Sequence, residues 1–537
     1  MLETTTSAFT LLVLVAPLAF AGVALVARTQ PGRDPRAVER SGLVAGAAGI
    51  AVAAAAGLAT TLVGSLESPT LGVGGLGFSL RLDPLSTVML AMIALLALVI
   101  FRYSCTYLDG DARHGSFLGR LALTVTAVEL LVLSGNLALL VVAWVATSLA
   151  LHQLLVFYGE RPLARLAARK KFVIARIGDV FLLVAVVLLY RHFGTGDLGQ
   201  IFAGVTRTTG SETAWTLGTI DLAALGLVVA AILKSAQFPT HGWLVEVMET
   251  PTPVSALLHA GILNAGPFLA IRMAYLLDGS RPATTLLLVV GGFTAAFAAV
   301  TLLTQSSVKV ALGYSSAAHM GFMLMVCGMG FYPAALLHLV AHSFYKAHAF
   351  LSSGSVIDEA RAHGVRLPRR LGSPIRIAAS TLVALAWYLP LALLWGTDLG
   401  GDPVAIAIGA ILVLGTTQLV ASAFDSDGPV AGVVRASLLA LAVTVSFVTL
   451  EAGAHQLLVD TVPEAVALDV LQLVLVALIL VGFAAVVLLQ IVDPARSQSA
   501  RRRAFAVHFR NGLYANALFD RFVGALRTPT VQSERTP

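Results

Sequence analysis

An all-α polytopic membrane protein with about 15 transmembrane helices is the fold this sequence predicts. Three observations predict it. The 537 residues are 57% hydrophobic and only 12% charged, about half the charge share of a soluble domain. Apolar runs of about 18 residues or more recur between residues 8 and 489, each long enough to cross a bilayer as a helix. The two-residue alternation of an outer-membrane barrel is missing.

Taken in order, the expected spans are 8–27, 42–64, 85–106, 118–135, 137–157, 172–190, 221–239, 252–276, 284–304, 309–329, 332–353, 376–396, 404–424, 430–450 and 466–491. The first follows acidic Glu3 and has no basic leader, so it reads as a retained helix rather than a cleaved signal. Basic loops orient the rest. Arg28, Arg33, Arg36 and Arg40 follow the first span, and Arg161, Arg165, Arg169, Lys170 and Lys171 follow the fifth. Arg361, Arg366, Arg369 and Arg370 follow the eleventh, and Arg501, Arg502 and Arg503 the last. All follow odd-numbered spans and therefore share one side. Alternate loops carry acids such as Asp398, Asp402, Glu451, Asp460 and Glu464. The expectation is a cytoplasmic membrane protein with its N-terminus outside and its C-terminus inside.

The net charge of +6 is loop charge of this kind and not a nucleic-acid footprint. Cys105 and Cys327 stand far apart, which excludes a CxxC metal site or a disulfide framework. The organisation expected is N-terminal helices over 1–110, two core halves over 111–280 and 281–425, C-terminal helices over 426–492 and a basic cytoplasmic tail over 493–537. With so little soluble mass, any chemistry outside the bilayer needs a partner.

Lys234 interrupts an apolar run, and an intramembrane charge costs about 2.5–3.5 kcal/mol on insertion scales. A lysine near a helix end can snorkel to the interface. Here "SAQFP" continues the run and Pro239 breaks it, and freed backbone groups in a membrane need protein or a water-filled cavity around them. "PTPVSALLHAGILNAG" opens the next span and puts His259 a turn or two inside, with Asn264 beyond it. Beside a buried lysine, His259 reads as a proton relay member.

"HLVAHSFYKAHAFLSSGSV" holds the second cluster. His338, His342 and Lys346 are spaced i, i+4, i+8 on one helical stripe, with His348 off it. His-x3-His is also a metal-ligand spacing. No Glu follows as in His-Glu-x-x-His, and the Lys346 cation opposes a metal, so the relay reading is preferred and no metal is expected. Lys309 and His319 lie one helix earlier and could link the two clusters. Glu129 and His152 interrupt two further spans. Arg176 and Asp179, i and i+3, fit a local ion pair or a functional one equally. No nucleotide loop, haem motif or Ser-His-Asp order accompanies these groups. Proton or cation translocation by a transport subunit, not an enzyme, is the resulting expectation.

At these residues the sequence resembles the proton-translocating antiporter-like family, which includes the large membrane subunits of respiratory complex I and of Mrp-type antiporters. The resemblance covers roughly residues 80–360 and rests on "KSAQFPTHGWL", "PTPVSALLHA", "KVALGYSSAAHMGFM" and "HLVAHSFYKAHAFLSSGSV" in the family's order. It implies two inverted five-helix repeats with broken helices, Lys234 as the central lysine of the first half-channel, and His259, His338, His342 and Lys346 as the relay between halves. Two positions depart. The family's "WE" is Trp144–Val145 here, and Glu129, His152 and Asp179 are the candidates to substitute for the glutamate. The charged residue of the twelfth span has no match in "ASTLVALAWYLPLALLWG", although Pro390 keeps a helix break there. The long lateral helix of the complex I subunit has no counterpart.

"TSLALHQLLVFY", "AARKKFVIARIGD", "HAGILNAGPFL" and "HFRNGLYANALFDRFVG" are similar to the DabB membrane subunits of DAB-type bacterial inorganic carbon systems. That resemblance implies a large cytoplasmic DabA-like zinc partner related to β-carbonic anhydrases. A flow of protons, or of sodium, through the membrane subunit would drive hydration of CO2 to bicarbonate in the partner. The zinc would belong to the partner, with no cofactor in this chain. The basic tail from Arg501 to Arg527 is a docking segment for that partner or lies on anionic lipid. A complex I-like or Mrp-type antiporter subunit is the alternative.

Overall fold

The structure is a computed structural model that describes residues 10–208, 217–247, 250–354, 373–396, 401–424, 430–464, 466–491 and 500–523. Arg361, Arg366, Arg369, Arg370, Asp398 and the tail beyond 523 lie outside the described residues.

Helices dominate. The N-terminal group comprises α1 (Val15–Thr29), α2 (Arg36–Val63), α3 (Pro84–Tyr107), α4 (His114–Val132) and α5 (Leu137–Leu155). Then come α6 (Pro162–Phe193), α7 (Leu198–Thr208), α8 (Thr219–Lys234), α9 (Gly242–Glu246), α10 (Thr252–Ala260), α11 (Ala265–Arg272) and α12 (Ala274–Asp278). The second half holds α13 (Arg281–Leu302), α14 (Val308–Gly328), α15 (Tyr332–Leu351), α16 (Pro374–Leu394), α17 (Pro403–Phe424), α18 (Val430–Leu458) and α19 (Val470–Ile491). The tail forms α20 (Ala500–Arg510) and α21 (Ala515–Val523).

Among the described residues, 12 helices are long and apolar enough to span a membrane. Three of the expected fifteen spans fall on helices outside that set. α1 belongs to a shorter apolar segment, Thr10–Val26. α8 stops after 16 residues, and α15 carries three histidines and a lysine. Among the described residues, strands are confined to two short antiparallel ladders between α2 and α3, Leu66–Glu67 with Arg81–Leu82 and Leu71–Val73 with Leu76–Phe78. Among the described residues no closed sheet forms.

Helices pack through small residues, as membrane helices do where no hydrophobic effect drives them together. A Cβ on Gly291 of α13 would lie 2.6 Å from the Gly321 carbonyl of α14, and the reverse distance is also 2.6 Å. Outside the spans, Asp83 caps α3 by accepting from the Ser86 amide at 2.8 Å. It also accepts from Arg81 Nε at 2.9 Å and pairs with the buried Arg272 guanidinium.

Two spans are broken where they pass each other. α8 ends at Lys234, and the chain runs irregularly to α9, with Ala236 at φ 51° and a cis Phe238–Pro239 bond. Pro239 therefore lies inside a gap that opens five residues earlier. The span from Thr252 breaks at Gly261 and restarts through a 3-10 turn, Ile262–Asn264. Side chains meet the freed backbone groups, as hydrocarbon requires. Ser235 Oγ donates to the Leu263 carbonyl at 2.9 Å, Gln237 Nε2 to the Ser235 carbonyl at 2.8 Å and Asn264 Nδ2 to the Ala260 carbonyl at 2.8 Å. The expected break at Pro390 is absent: α16 runs through it. Pro390 stands one turn from the helix end, where losing a single amide donor leaves the preceding turns intact.

Candidate functional site

Lys234 ends α8 and is buried. Its Nζ donates to the Trp144 carbonyl at 3.2 Å and stands 4.3 Å over the Trp144 ring, a cation–π contact. Val145 offers no charge, so the compensating acid comes from elsewhere. Asp179, paired with Arg176 at 2.7 Å, is the acid whose charge reaches Lys234. Glu129 is fully buried on α4 on the side of Gly49, whose Cβ position lies 3.8 Å from Glu129 Oε1. Neither Glu129 oxygen has a hydrogen-bond partner among the described residues. His152 packs on Phe172, ring centroids 5.2 Å apart.

Lys170 and Lys171, read above as loop charges, belong to α6, which begins ten residues before the expected span at 172. Both are buried. Lys171 Nζ donates to the Ser148 carbonyl and hydroxyl at 2.7 and 2.9 Å, and its charge faces Lys234. Two lysines thus share the Asp179–Arg176 pair. Lys171 was misread because a Lys-Lys pair before an apolar run looks like an interfacial anchor. The available signal was its place two helical turns from Asp179 on one helix.

His259, fully buried, stacks on Phe350 of α15 with centroids 4.3 Å apart, within electrostatic reach of Lys346. Lys346, also fully buried, donates to Ser315 Oγ on α14 at 2.7 Å. His319 joins this group: its Nδ1 lies 2.9 Å from His338 Nε2, and its ring centroid 4.8 Å from that of His342. Lys309 does not join. It sits at the start of α14 and donates to Thr252 Oγ1 at 3.4 Å. Asn264 ties the break to α15 by donating to Ser343 Oγ at 2.7 Å.

Sequence reasoning also missed His241 and Glu246. His241 is buried in the gap between α8 and α9, against Phe238 and Phe297, and its ring nitrogens have no hydrogen-bond partner among the described residues. Glu246 accepts from Lys170 Nζ at 2.6 Å and from Asn516 Nδ2 at 2.6 Å, while Lys170 also pairs with Asp520. Residues 500–523 of the tail therefore fold back on the chain itself, with Gly512 over Tyr314 and His241. The motif "FPTHGWL" placed His241 beside a helix break, which was the signal.

Broken helices crossing at buried lysines and histidines define a class, the polytopic transport proteins whose discontinuous helices carry charge at membrane depth. Residues 134–395 match the family model described as NADH:quinone oxidoreductase/Mrp antiporter, TM. Residues 71–118 match that of NADH-ubiquinone oxidoreductase (complex I), chain 5 N-terminus. The chain is 38% identical to a probable inorganic carbon transporter subunit DabB2 of Halothiobacillus neapolitanus, over 84% of this chain and 81% of the relative. A probable DabB subunit of Hydrogenovibrio crunogenus is 42% identical over 57% of this chain and 60% of its own length. Among solved structures, a chain of the Mrp complex from Dietzia sp. DQ12-45-1b superposes with a TM-score of 0.64 at 25% identity, covering 97% of this chain and 60% of that one. The chain belongs to the antiporter-like family of membrane subunits, in which the DabB carbon-transporter subunits are its relatives.

Proposed function

We propose that this chain is the proton-translocating membrane subunit of an inorganic carbon accumulation complex in a bacterial cytoplasmic membrane. The observation that carries the reading is the succession of groups from buried Lys171 and Lys234 to buried His259, Lys346 and His342 and half-buried His319 and His338. A buried charge at this depth is costly and is retained where ions move. A proton arriving on Lys171 repels one on Lys234, and Asp179 shifts its balance between the two. Rotation of the imidazoles then hands protons along the α14–α15 pair. His241, in the gap below Lys234, is the candidate cytoplasmic end, with the N-terminus outside and the C-terminus inside.

The names of the DabB relatives support the carbon reading. Proton flow down its gradient would drive CO2 hydration in a cytoplasmic zinc partner of β-carbonic anhydrase type, so the hydrating metal is the partner's. The likeness to an Mrp chain favours a second reading, a cation/proton antiporter subunit. Affinity purification of the tagged chain, expressed with its genomic neighbours, separates them. One large soluble protein carrying stoichiometric zinc is expected. A set of small membrane proteins without it would overturn the carbon reading.

A further inference from the structure

We propose that His319, His338 and His342 form a binding site for one transition-metal ion of the Zn2+ or Co2+ kind between α14 and α15. On the sequence alone the metal reading rested on His338 and His342 and yielded to the relay reading for want of a following Glu and because of the Lys346 cation. The fold adds a third from the neighbouring helix. One ring nitrogen from each of the three lies within 4.8 Å of the others. A tetrahedral site with metal–nitrogen bonds of about 2.0–2.1 Å sets its nitrogens about 3.3 Å apart. Side-chain rotation covers that difference, and the His319–His338 edge is already at 2.9 Å.

The second observation is His342. It is 4% exposed, and neither of its ring nitrogens has a hydrogen-bond partner among the described residues. A buried polar group left without a partner is destabilising, and a metal ion would take one of the two nitrogens. Imidazole donors select zinc, copper, nickel or iron over magnesium and calcium. Phe322 packs on the His338 ring at 4.7 Å and holds it in place. His319 and His338 are half-buried, which leaves the cluster an open edge. Lys346, the opposing cation, donates to Ser315 Oγ on α14, and its charge still reaches His319 and His342. Three histidines leave a fourth coordination position for water. One consequence rests on the proposed function: metal occupancy and proton passage exclude each other, because the ion takes the lone pairs a relay uses.

The test is a Co2+ titration of the purified full-length chain in detergent, isolated on a tag without histidines. One equivalent of Co2+ should produce the visible bands of a tetrahedral site, and Zn2+ should displace it. His319→Gln and His338→Gln should weaken binding by about tenfold or more, and His348→Gln, exposed on the same helix, should not. His342→Cys keeps a ligand and should add a sulfur-to-cobalt charge-transfer band. Absence of a saturable tetrahedral signal in folded protein, binding unchanged by His319→Gln, or a folded His342→Cys variant without that band would each overturn the site. The readout involves no ion flux, so failure of the transport reading leaves it separately decided.

Discussion

At the scale of residues, buried Lys234 needs an acid within reach. Asp179 reaches it and Glu129 lies apart, against Gly49. Asp179→Asn should therefore lower proton flux in proteoliposomes by about tenfold, the equivalent of ~1.4 kcal/mol, whereas Glu129→Gln should leave it within about twofold. Equal losses would assign the role wrongly. Asp83, outside the spans, yields a pH prediction. Burial alone would raise its carboxyl, but the Arg272 and Arg81 guanidiniums outweigh this and hold it well below its ordinary value of 3.8. Its contribution to stability is present above that value and lost as pH falls below it. The unfolding midpoint of purified protein should drop on acidification from about pH 5 to about pH 3. Asp83→Asn should flatten that slope and cost about 3–5 kcal/mol at neutral pH, the penalty of leaving the buried Arg272 guanidinium without its carboxylate. The stripe of His338, His342 and Lys346 was legible because helical spacing alone aligns them. The pairing of Asp83 with Arg272 was not, because it joins positions far apart in the chain that only the tertiary fold brings together.

At the scale of elements, the two broken spans position the site. They cross at Gly266, where a Cβ would lie 2.1 Å from Ser235 Oγ and 2.5 Å from the Ala231 carbonyl. Gly266→Ala should destabilise the protein by about 1–3 kcal/mol through overpacking. Asn264→Ala, which frees the Ala260 carbonyl, should cost about 1–3 kcal/mol. Thermal unfolding in detergent checks both, and unchanged midpoints would remove the crossing from the architecture. The break beyond Lys234 was legible from "SAQFP", but its position was not. The helix ends at Lys234, where its last turn packs against Gly266 of the other broken span, and Pro239 lies five residues on, inside the gap. Pro390 misled for the opposite reason: a proline near a helix end costs one hydrogen bond and needs no break. α6 was read ten residues short because its basic first turns look interfacial until neighbours bury Lys170 and Lys171.

At the scale of the molecule, lysines, histidines and broken helices run through a bundle of membrane-spanning length shared with antiporter-like subunits, and residues 500–523 of the tail pack against one end. The proposed function requires that ion flow through Lys234 and Lys346 energise carbon accumulation. Its most direct test is growth of a carbonic-anhydrase-deficient bacterium in ambient air, with this chain co-expressed with its genomic neighbour. Wild type should restore growth, while Lys234→Ala and Lys346→Ala, each present in the membrane at wild-type level, should not. Growth restored equally by both variants would contradict the claim.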